Sequence, residues 1–307
     1  MRKVWLTACV GLALAACAPQ EVDPLEEAAR TCETGEGAAL IAACTTIIDT
    51  PGPTEAARAE AYVARAGAQR AAGEVTAALR DYEAALRLDE NHVAALLGRG
   101  DILRASGQLD AALAMIERAA PNDTSGRAEM LLARIAFTRG DMDAAAAHAD
   151  AALARDNDMA EAHAVRARVR KANGDLAGAR ADYGAAIRFD GALAEARAGR
   201  CRLNLEENEN LDQARDDAAA AVLADPRNVE ALICRGVLQL RDNEPGDALA
   251  TFSAALQQEP GNPEALFGHG IARMRTGDGQ GAQDMNRARG FSEHIGQRYE
   301  QLGVSTR

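Results

Sequence analysis

The order of small, large and polar residues along the chain repeats with a period of about 34 residues. Gly73, Gly107, Gly140 and Gly174 are separated by 34, 33 and 34 residues, and each precedes a polar residue. A run rich in small residues follows, as in GEVTAALRDYEAAL and GDLAGARADYGAAI. Because glycine ends a helix and opens a turn, the pattern predicts hairpins of two helices. These interruptions exclude a continuous coiled coil.

Three rows of residues keep their character from one copy of the period to the next. A small residue recurs in the predicted first helix, and alanine recurs in the second, with a large residue four positions later. Small residues let two helices approach closely, and the large one fills the gap toward the next hairpin. The rows are Ala66, Gly100, Ala133, Ala167, Cys201, Gly236 and Gly270; Ala78, Ala112, Ala145, Ala179, Ala214, Ala248 and Ala282; and Tyr82, Ile116, Tyr183 and Phe252.

This pattern resembles the tetratricopeptide repeat family over roughly residues 59–290. The resemblance implies an all-α fold, a right-handed α-solenoid of about seven helical hairpins with capping helices. The copies depart from the family pattern at Ala149 and Asn286, where the large residue is missing, and at Arg289, which replaces alanine. One residue is inserted near Asn208, where the glycine of the turn is also missing.

The two ends of the array are predicted to be caps, because a stack of hairpins needs a polar outer face at each end. Residues 31–58 are expected to form a shortened N-terminal capping hairpin. Residues 291–307 are expected to contain a C-terminal capping helix, and docking of a partner is an alternative role for it. Three large residues spaced by four mark this helix: Phe291, Ile295 and Tyr299.

The start of the chain has the organisation of an export signal. Arg2 and Lys3 precede an apolar run that ends at residue 16, too short for a permanent membrane span. The sequence Leu-Ala-Ala-Cys that ends at Cys17 resembles the lipobox of bacterial lipoproteins, in which the cysteine is acylated after cleavage. Residues 1–16 are therefore predicted to be a signal peptide and residues 17–30 a tether. The alternative is an ordinary secretory signal with Cys17 incidental.

The resemblance to lipoproteins also implies a location. Ala18 follows the cysteine, and no aspartate stands there to indicate retention in the inner membrane. The expectation is a lipid anchor in the outer membrane of a Gram-negative cell, with the protein facing the periplasm. More than one acyl chain holds a protein on a membrane far better than a single chain does.

Composition agrees with a thin-layered helical stack rather than a globule. Apolar residues make up 48% of the chain but aromatic residues only 3%, so few large side chains are available for a deep core. The formal net charge is −12, and removal of the signal would make the chain more acidic still. This balance argues against general binding to nucleic acid or to anionic lipid.

Four cysteines lie beyond the predicted signal and lipidation site. Several tetratricopeptide proteins of alphaproteobacteria carry a cysteine-bracketed segment before the first repeat, similar to the one between Cys32 and Cys44. In an exported protein such a pair is expected to form a disulfide, the alternative being two separate buried thiols. Cys201 and Cys234 lie in the first helices of adjacent repeats, and small buried side chains are favoured there over a second bridge.

The sequence contains no recognised catalytic motif, neither HExxH, GxSxG, a phosphate-binding GxxxxGK[ST] nor GxGxxG. The histidines are scattered over different repeats without metal-ligand spacing. The chain is therefore predicted not to be an enzyme, and no cofactor and no metal ion is expected.

One row of arginines recurs in the first helices, next to the small residue. We expect ion pairs with aspartates of the second helix, at Asp81, Asp182 and Asp216–Asp217, and a role in ligand binding is the alternative. The row is Arg65, Arg99, Arg166, Arg200 and Arg235.

A second basic row falls where the family's first helices line a concave groove. With apolar neighbours such as Phe137 and Phe267, guanidinium groups suit a partner peptide of acidic character. The alternative is that arginines late in a helix merely favour its negative end. The row is Arg70, Arg104, Arg134, Arg168, Lys171, Arg202, Arg241 and Arg275.

The sequence as a whole predicts a non-catalytic, membrane-anchored scaffold or adaptor that binds a protein or peptide partner in this groove. The architecture resembles that of lipoproteins of cell-envelope assembly. The alternative is a periplasmic carrier or sensor of a small ligand, such as a peptidoglycan fragment. An enclosed apolar pocket at the C-terminal repeats would favour that alternative.

Overall fold

The computed structural model of the protein describes residues 23–305, and in this range it contains helices and no strand. The chain divides into two compact units, residues up to Arg99 and residues from Gly100. The predicted signal peptide, the lipidation site Cys17 and most of the predicted tether lie outside the described residues. The helices are α1 Pro24–Thr34, α2 Gly37–Asp49, α3 Glu55–Ala71, α4 Val75–Leu88, α5 Val93–Ala105, α6 Leu109–Ala119, α7 Arg127–Arg139, α8 Met142–Arg155, α9 Ala160–Ala172, α10 Leu176–Phe189, α11 Ala194–Glu206, α12 Leu211–Ala224, α13 Val229–Arg241, α14 Pro245–Gln258, α15 Pro263–Arg275, α16 Gly281–Phe291 and α17 Ile295–Gln301.

The first unit begins with a hairpin that starts earlier than the sequence analysis predicted. The tether was expected to reach residue 30, but α1 already begins at Pro24. Asp23 caps the helix by accepting a hydrogen bond of 2.9 Å from the Leu25 amide. Pro24 occupies the first turn, where its missing N–H group costs no hydrogen bond within the helix. α1 packs on α2, and the predicted disulfide between Cys32 and Cys44 joins them.

The second unit contains five complete hairpins, α7–α8 to α15–α16, in which consecutive helices pack against each other. Gly140 and Gly174 turn between the helices with φ angles of 80° and 81°, a left-handed conformation that glycine adopts without strain. Where the turn glycine is missing, Asn208 and Asn210 adopt φ angles of 54° and 47°. Asparagine tolerates this conformation better than other residues do, so the hairpin is kept despite the insertion.

Aromatic side chains enter the next hairpin where a glycine leaves room. A Cβ atom at Gly199 would lie 2.4 Å from the ring of Tyr183, and one at Gly268 would lie 2.3 Å from the ring of Phe252. Both rings are buried. Tyr183 and Phe252, two of the large residues in the predicted row, therefore do fill the gap between hairpins. In each case the opposite residue is a glycine, which leaves room for the ring.

Most of the predicted ion pairs beside the close-packed row are present. Arg65, Arg166 and Arg200 each bind a buried aspartate through two nitrogens, at distances of 2.7 to 2.8 Å. These aspartates are Asp81, Asp182 and Asp217. The prediction is wrong for the other two arginines. Arg99 lies 3.3 Å from Glu83, which is on the preceding helix, and Arg235 forms no ion pair with any described residue.

Cys201 and Cys234 form a disulfide between α11 and α13, which corrects the interpretation of two separate buried thiols. The first helices of adjacent hairpins lie side by side, so these two cysteines meet with their Cα atoms 6.4 Å apart. That separation is within the usual range for a disulfide. The bridge closes a loop of 33 residues in sequence separation.

Candidate functional site

In the second unit, the first helices of the hairpins form a continuous layer. α7 packs on α9, α9 on α11, α11 on α13 and α13 on α15. Side chains from alternate hairpins, such as Arg134 of α7 and Glu195 of α11, also meet on one side of this layer. We call this side the inner face. Arg134, Arg168, Lys171, Arg202, Arg241, Arg275, Phe137 and Phe267 of the predicted groove all belong to these five helices.

Glu195 joins two of the predicted groove arginines. Its carboxylate accepts hydrogen bonds from Arg134 at 2.6 Å and from Arg168 at 3.0 Å. Burial raises the pKa of Glu195, but the charges of the two guanidinium groups outweigh this effect and hold the pKa below its ordinary value. The guanidinium of Arg168 also stacks on the ring of Phe137, 4.3 Å from its centroid.

Two further glutamates neutralise the next basic residues. Glu206 binds Lys171 and Arg202, both at 2.8 Å, and Arg202 reaches Glu264 of α15 at 2.5 Å. Burial raises the pKa of Glu206, yet Lys171 and Arg202 lower it overall. Burial works against the charge of Arg202, but Glu264 and Glu206 together raise its pKa above the ordinary value. From α7 to α11, the basic residues of the predicted groove are therefore paired with carboxylates rather than free.

The C-terminal segment, residues 295–305, lies against the last three first helices, α11, α13 and α15. Ile295, Tyr299, Leu302 and Val304 are buried in the same apolar cluster as Leu240 and Phe267. The hydroxyl of Tyr299 donates a hydrogen bond of 2.7 Å to the main-chain carbonyl of Glu264, and the Tyr299 and Phe267 ring centroids are 5.1 Å apart. The segment thus covers apolar residues that were predicted to face a partner.

Two arginines of the predicted groove hold the main chain of this segment. Arg241 donates to the Leu302 carbonyl at 3.1 Å, and Arg275 donates to the Ser305 carbonyl at 2.9 Å. Arg298 of the segment reaches back to Glu206 at 3.2 Å and to Glu264 at 2.9 Å. Glu206 belongs to α11, two hairpins before the one that the segment follows. The segment therefore folds back along the inner face instead of simply ending the stack.

The remaining predicted residues have different positions. Arg104 binds Asp101 on its own helix at 2.8 Å, and Arg70 lies on α3 in the first unit. Phe291 was expected to line up with Ile295 and Tyr299, but it is 63% exposed because α16 ends at it and the chain turns before α17.

The glutamates are the functional residues that the sequence analysis missed. Glu195 and Glu264 each stand second in a first helix, and the same place holds glutamate in α9 and α13. Counting this row with the arginines would have predicted a neutral face. The fold-back of the C-terminal segment has no comparable signal, because the spacing of its apolar residues does not say which surface they cover.

Neither metal chemistry nor a membrane span finds support in the part of the chain that the structure describes. Within residues 23–305, no group of three or more histidine, cysteine, aspartate or glutamate side chains is placed to hold a metal ion. No helix in that range has the length and apolar character needed to cross a bilayer. An open cleft of about 530 Å³ lies beside the C-terminal segment, lined by polar groups that include Glu206, His294, Gln297 and Arg298.

Models of the tetratricopeptide repeat match most of the chain. One matches residues 69–135, and a second matches residues 130–199, 203–263 and 235–292, which is more than half of the sequence. No curated protein matches the chain.

Several solved structures resemble the fold at low sequence identity. A chain of the APC/C hetero-tetramer Cut9–Hcn1 is 16% identical, with a TM-score of 0.64 over 88% of this chain and 49% of that one. This chain thus spans about half the length of that relative. A tetratricopeptide repeat protein from Parabacteroides merdae is 17% identical, with a TM-score of 0.48 over 80% and 98% of the two chains. TTC0263 from Thermus thermophilus is 22% identical, with a TM-score of 0.49 over 59% and 99%.

Proposed function

The chain belongs to the tetratricopeptide repeat family, and from this premise we propose that it is a non-catalytic scaffold that binds a protein or peptide partner on its inner face. Stacked helical repeats present extended surfaces rather than enclosed catalytic pockets, and such surfaces suit protein recognition. We propose further that the scaffold is anchored through Cys17 in the outer membrane, faces the periplasm and serves cell-envelope assembly.

One observation carries the proposal of peptide binding. The inner face of α11, α13 and α15 already holds a peptide segment, residues 295–305, by apolar anchors and by arginines on main-chain carbonyls. Contacts to the main chain do not depend on the sequence of the bound segment, whereas the buried positions select apolar side chains. A surface with both features has the chemistry needed to bind a segment of another protein.

Export is supported by the sequence of the first 17 residues and by the disulfides. The bridges Cys32–Cys44 and Cys201–Cys234 are both of a kind that persists in oxidising compartments such as the bacterial periplasm. A reducing cytosol would favour free thiols at all four positions.

A second candidate function, carriage of a small polar ligand such as a peptidoglycan fragment, has one observation in its favour. The cleft beside the C-terminal segment has room for a small molecule and offers both donors and acceptors, from Gln297, Arg298 and Glu206. It is open and polar, unlike the enclosed apolar pocket that would suit tight retention. We therefore place this function second.

Crosslinking in intact cells followed by affinity purification tests the scaffold role, with Cys17→Ser as the anchor control. Enrichment of one envelope assembly by the wild type, lost in the Cys17→Ser protein, would support an anchored scaffold. Stable membrane association of the wild type without any enriched protein would overturn the scaffold proposal and favour the small-ligand function. Equal membrane association of both versions would overturn the anchor.

A further inference from the structure

We propose that the C-terminal segment, residues 295–305, is an exchangeable internal occupant of the inner face, and that a segment of a partner protein with the same chemistry replaces it. The inference rests on the proposed scaffold function and specifies the partner of that surface. It begins from the fold-back of the segment, which a cap at the end of the stack does not require.

The attachment of the segment allows exchange. Only residues 292–294 lie between α16 and α17, and Glu293 and His294 are exposed. A change of backbone angles in this short connection can therefore swing the segment away while the hairpin α15–α16 stays folded. The polar contacts described above between the segment and the helices beneath it are made through side chains: Arg241 and Arg275 donate to its main chain, Arg298 binds two glutamates, and the Tyr299 hydroxyl donates to a carbonyl.

The surface beneath the segment is apolar, so release of the segment without a replacement is unfavourable. Leu240, Phe267 and Ile271 are almost completely buried, and they share one apolar cluster with the segment. Exposing this patch to water is unfavourable, because apolar surface is stabilised by its removal from water. Release is therefore favourable only when another apolar segment takes the same place.

The contacts define the chemistry of the replacing segment. Ile295, Tyr299 and Leu302 follow one another at spacings of four and three residues, which places them on one side of a helical turn. Arg298 lies between them and meets the carboxylates of Glu206 and Glu264. The partner segment should thus be a short amphipathic helix with three apolar or aromatic anchors and a basic residue, not the acidic peptide expected from the arginine row alone.

A peptide with the sequence of residues 293–305, labelled at its N-terminus, is the probe for this exchange. In the wild type the internal segment has an effective concentration in the millimolar range, so micromolar peptide competes poorly. The full-length variant Tyr299→Ser with Leu302→Ser weakens the internal segment and leaves the groove unchanged. We expect this variant to bind the peptide at least about tenfold more tightly than the wild type, measured by fluorescence anisotropy.

Two further variants make the result specific. Gln297→Ala with Gln301→Ala changes exposed residues of the same segment and should bind the peptide as weakly as the wild type. Adding Arg241→Ala and Arg275→Ala to the serine variant should abolish the gain, because these arginines hold main-chain carbonyls. Circular dichroism checks that each protein keeps its helices. If the serine variant loses them, Arg298→Ala, which removes the ion pairs to Glu206 and Glu264 but no buried apolar anchor, replaces it and should show a smaller gain.

Unchanged weak binding in helical variants with a weakened segment would overturn the exchange. This outcome is distinct from failure of the scaffold role. A partner captured from cells by a protein that shows no exchange would bind elsewhere on the scaffold, whereas exchange without any captured partner would contradict the scaffold role.

Discussion

Glu195 of α11 accepts a 2.6 Å hydrogen bond from Arg134 of α7, although three helices, α8, α9 and α10, lie between them in sequence. The contact links alternate hairpins across the inner face. Arg202 of α11 and Glu264 of α15 repeat this contact two hairpins further along, at 2.5 Å. These two contacts link hairpins across the inner face by ion pairs. They therefore make the stability of the folded protein depend on pH.

Replacing Glu195 with glutamine should destabilise the protein by about 2 kcal/mol, because two partly buried guanidinium groups lose their carboxylate. The pKa of Glu195 is lower in the folded protein than in the unfolded chain, so its contribution is complete above the unfolded value, about 4.3, and is lost as the pH falls through the folded pKa. Urea unfolding at pH values from about 3 to about 7 measures this effect. As the pH falls, the free energy of unfolding should decrease less steeply for the variant than for the wild type. Equal slopes for both proteins would contradict this role of Glu195.

Replacing Gly199 with alanine should destabilise the protein by about 2 kcal/mol, since the added Cβ would lie 2.4 Å from the ring of Tyr183. Gly184, on α10, is the matched control. It has no neighbouring atom within 4 Å of an added Cβ, so Gly184→Ala should stabilise the helix by about 0.5 to 1 kcal/mol. Chemical unfolding followed by circular dichroism measures both, and a loss of the same size in both variants would refute the role of the ring contact.

Removal of the bridge between α11 and α13 by Cys201→Ala with Cys234→Ala should lower the free energy of unfolding by about 4 kcal/mol, on the chain-entropy account of a loop of this length. Removing the shorter bridge by Cys32→Ala with Cys44→Ala should cost less, about 3 kcal/mol. Thiol labelling of the denatured, unreduced wild-type protein provides an independent check. Reactive Cys201 or Cys234 in protein isolated from cells without reductant would sink this prediction.

Replacing Tyr299 with phenylalanine should cost about 1 kcal/mol, because the Glu264 carbonyl loses one hydrogen bond while the ring packing is kept. Tyr299→Ala should cost about 4 kcal/mol, because a buried ring is also lost. The difference between the two variants, from thermal or urea unfolding, isolates the packing of the ring. Two variants of equal stability would show that the ring is not packed on the inner face.

The repeating hairpins could be predicted because their causes are local in sequence. Gly140 and Gly174 mark turns by a backbone preference, and the alanines mark close contacts by size. The start of α1 carries an equally local signal, because Asp23, a capping residue, stands directly before Pro24.

The contacts between hairpins are harder to predict from the sequence, because they depend on how one helix is rotated against the next. Cys201 and Cys234 occupy different places in their helices, and periodicity alone does not show that they meet. Likewise the arginines of the inner face were recognised, but Glu195, the residue that neutralises two of them, stands in a different repeat. The spacing of Ile295 and Tyr299 predicts one apolar face of a helix, but it does not predict which surface that face covers.

The bridge between Cys201 and Cys234 has a consequence for the cooperativity of the array. In a linear stack each hairpin is stabilised mainly by its neighbours, so unfolding can begin at an end and advance one hairpin at a time. A covalent link between α11 and α13 makes their two hairpins open as a single step. Fraying from the C-terminus should therefore halt after α15–α16, and a protease acting from that end should leave a resistant core that ends with α14.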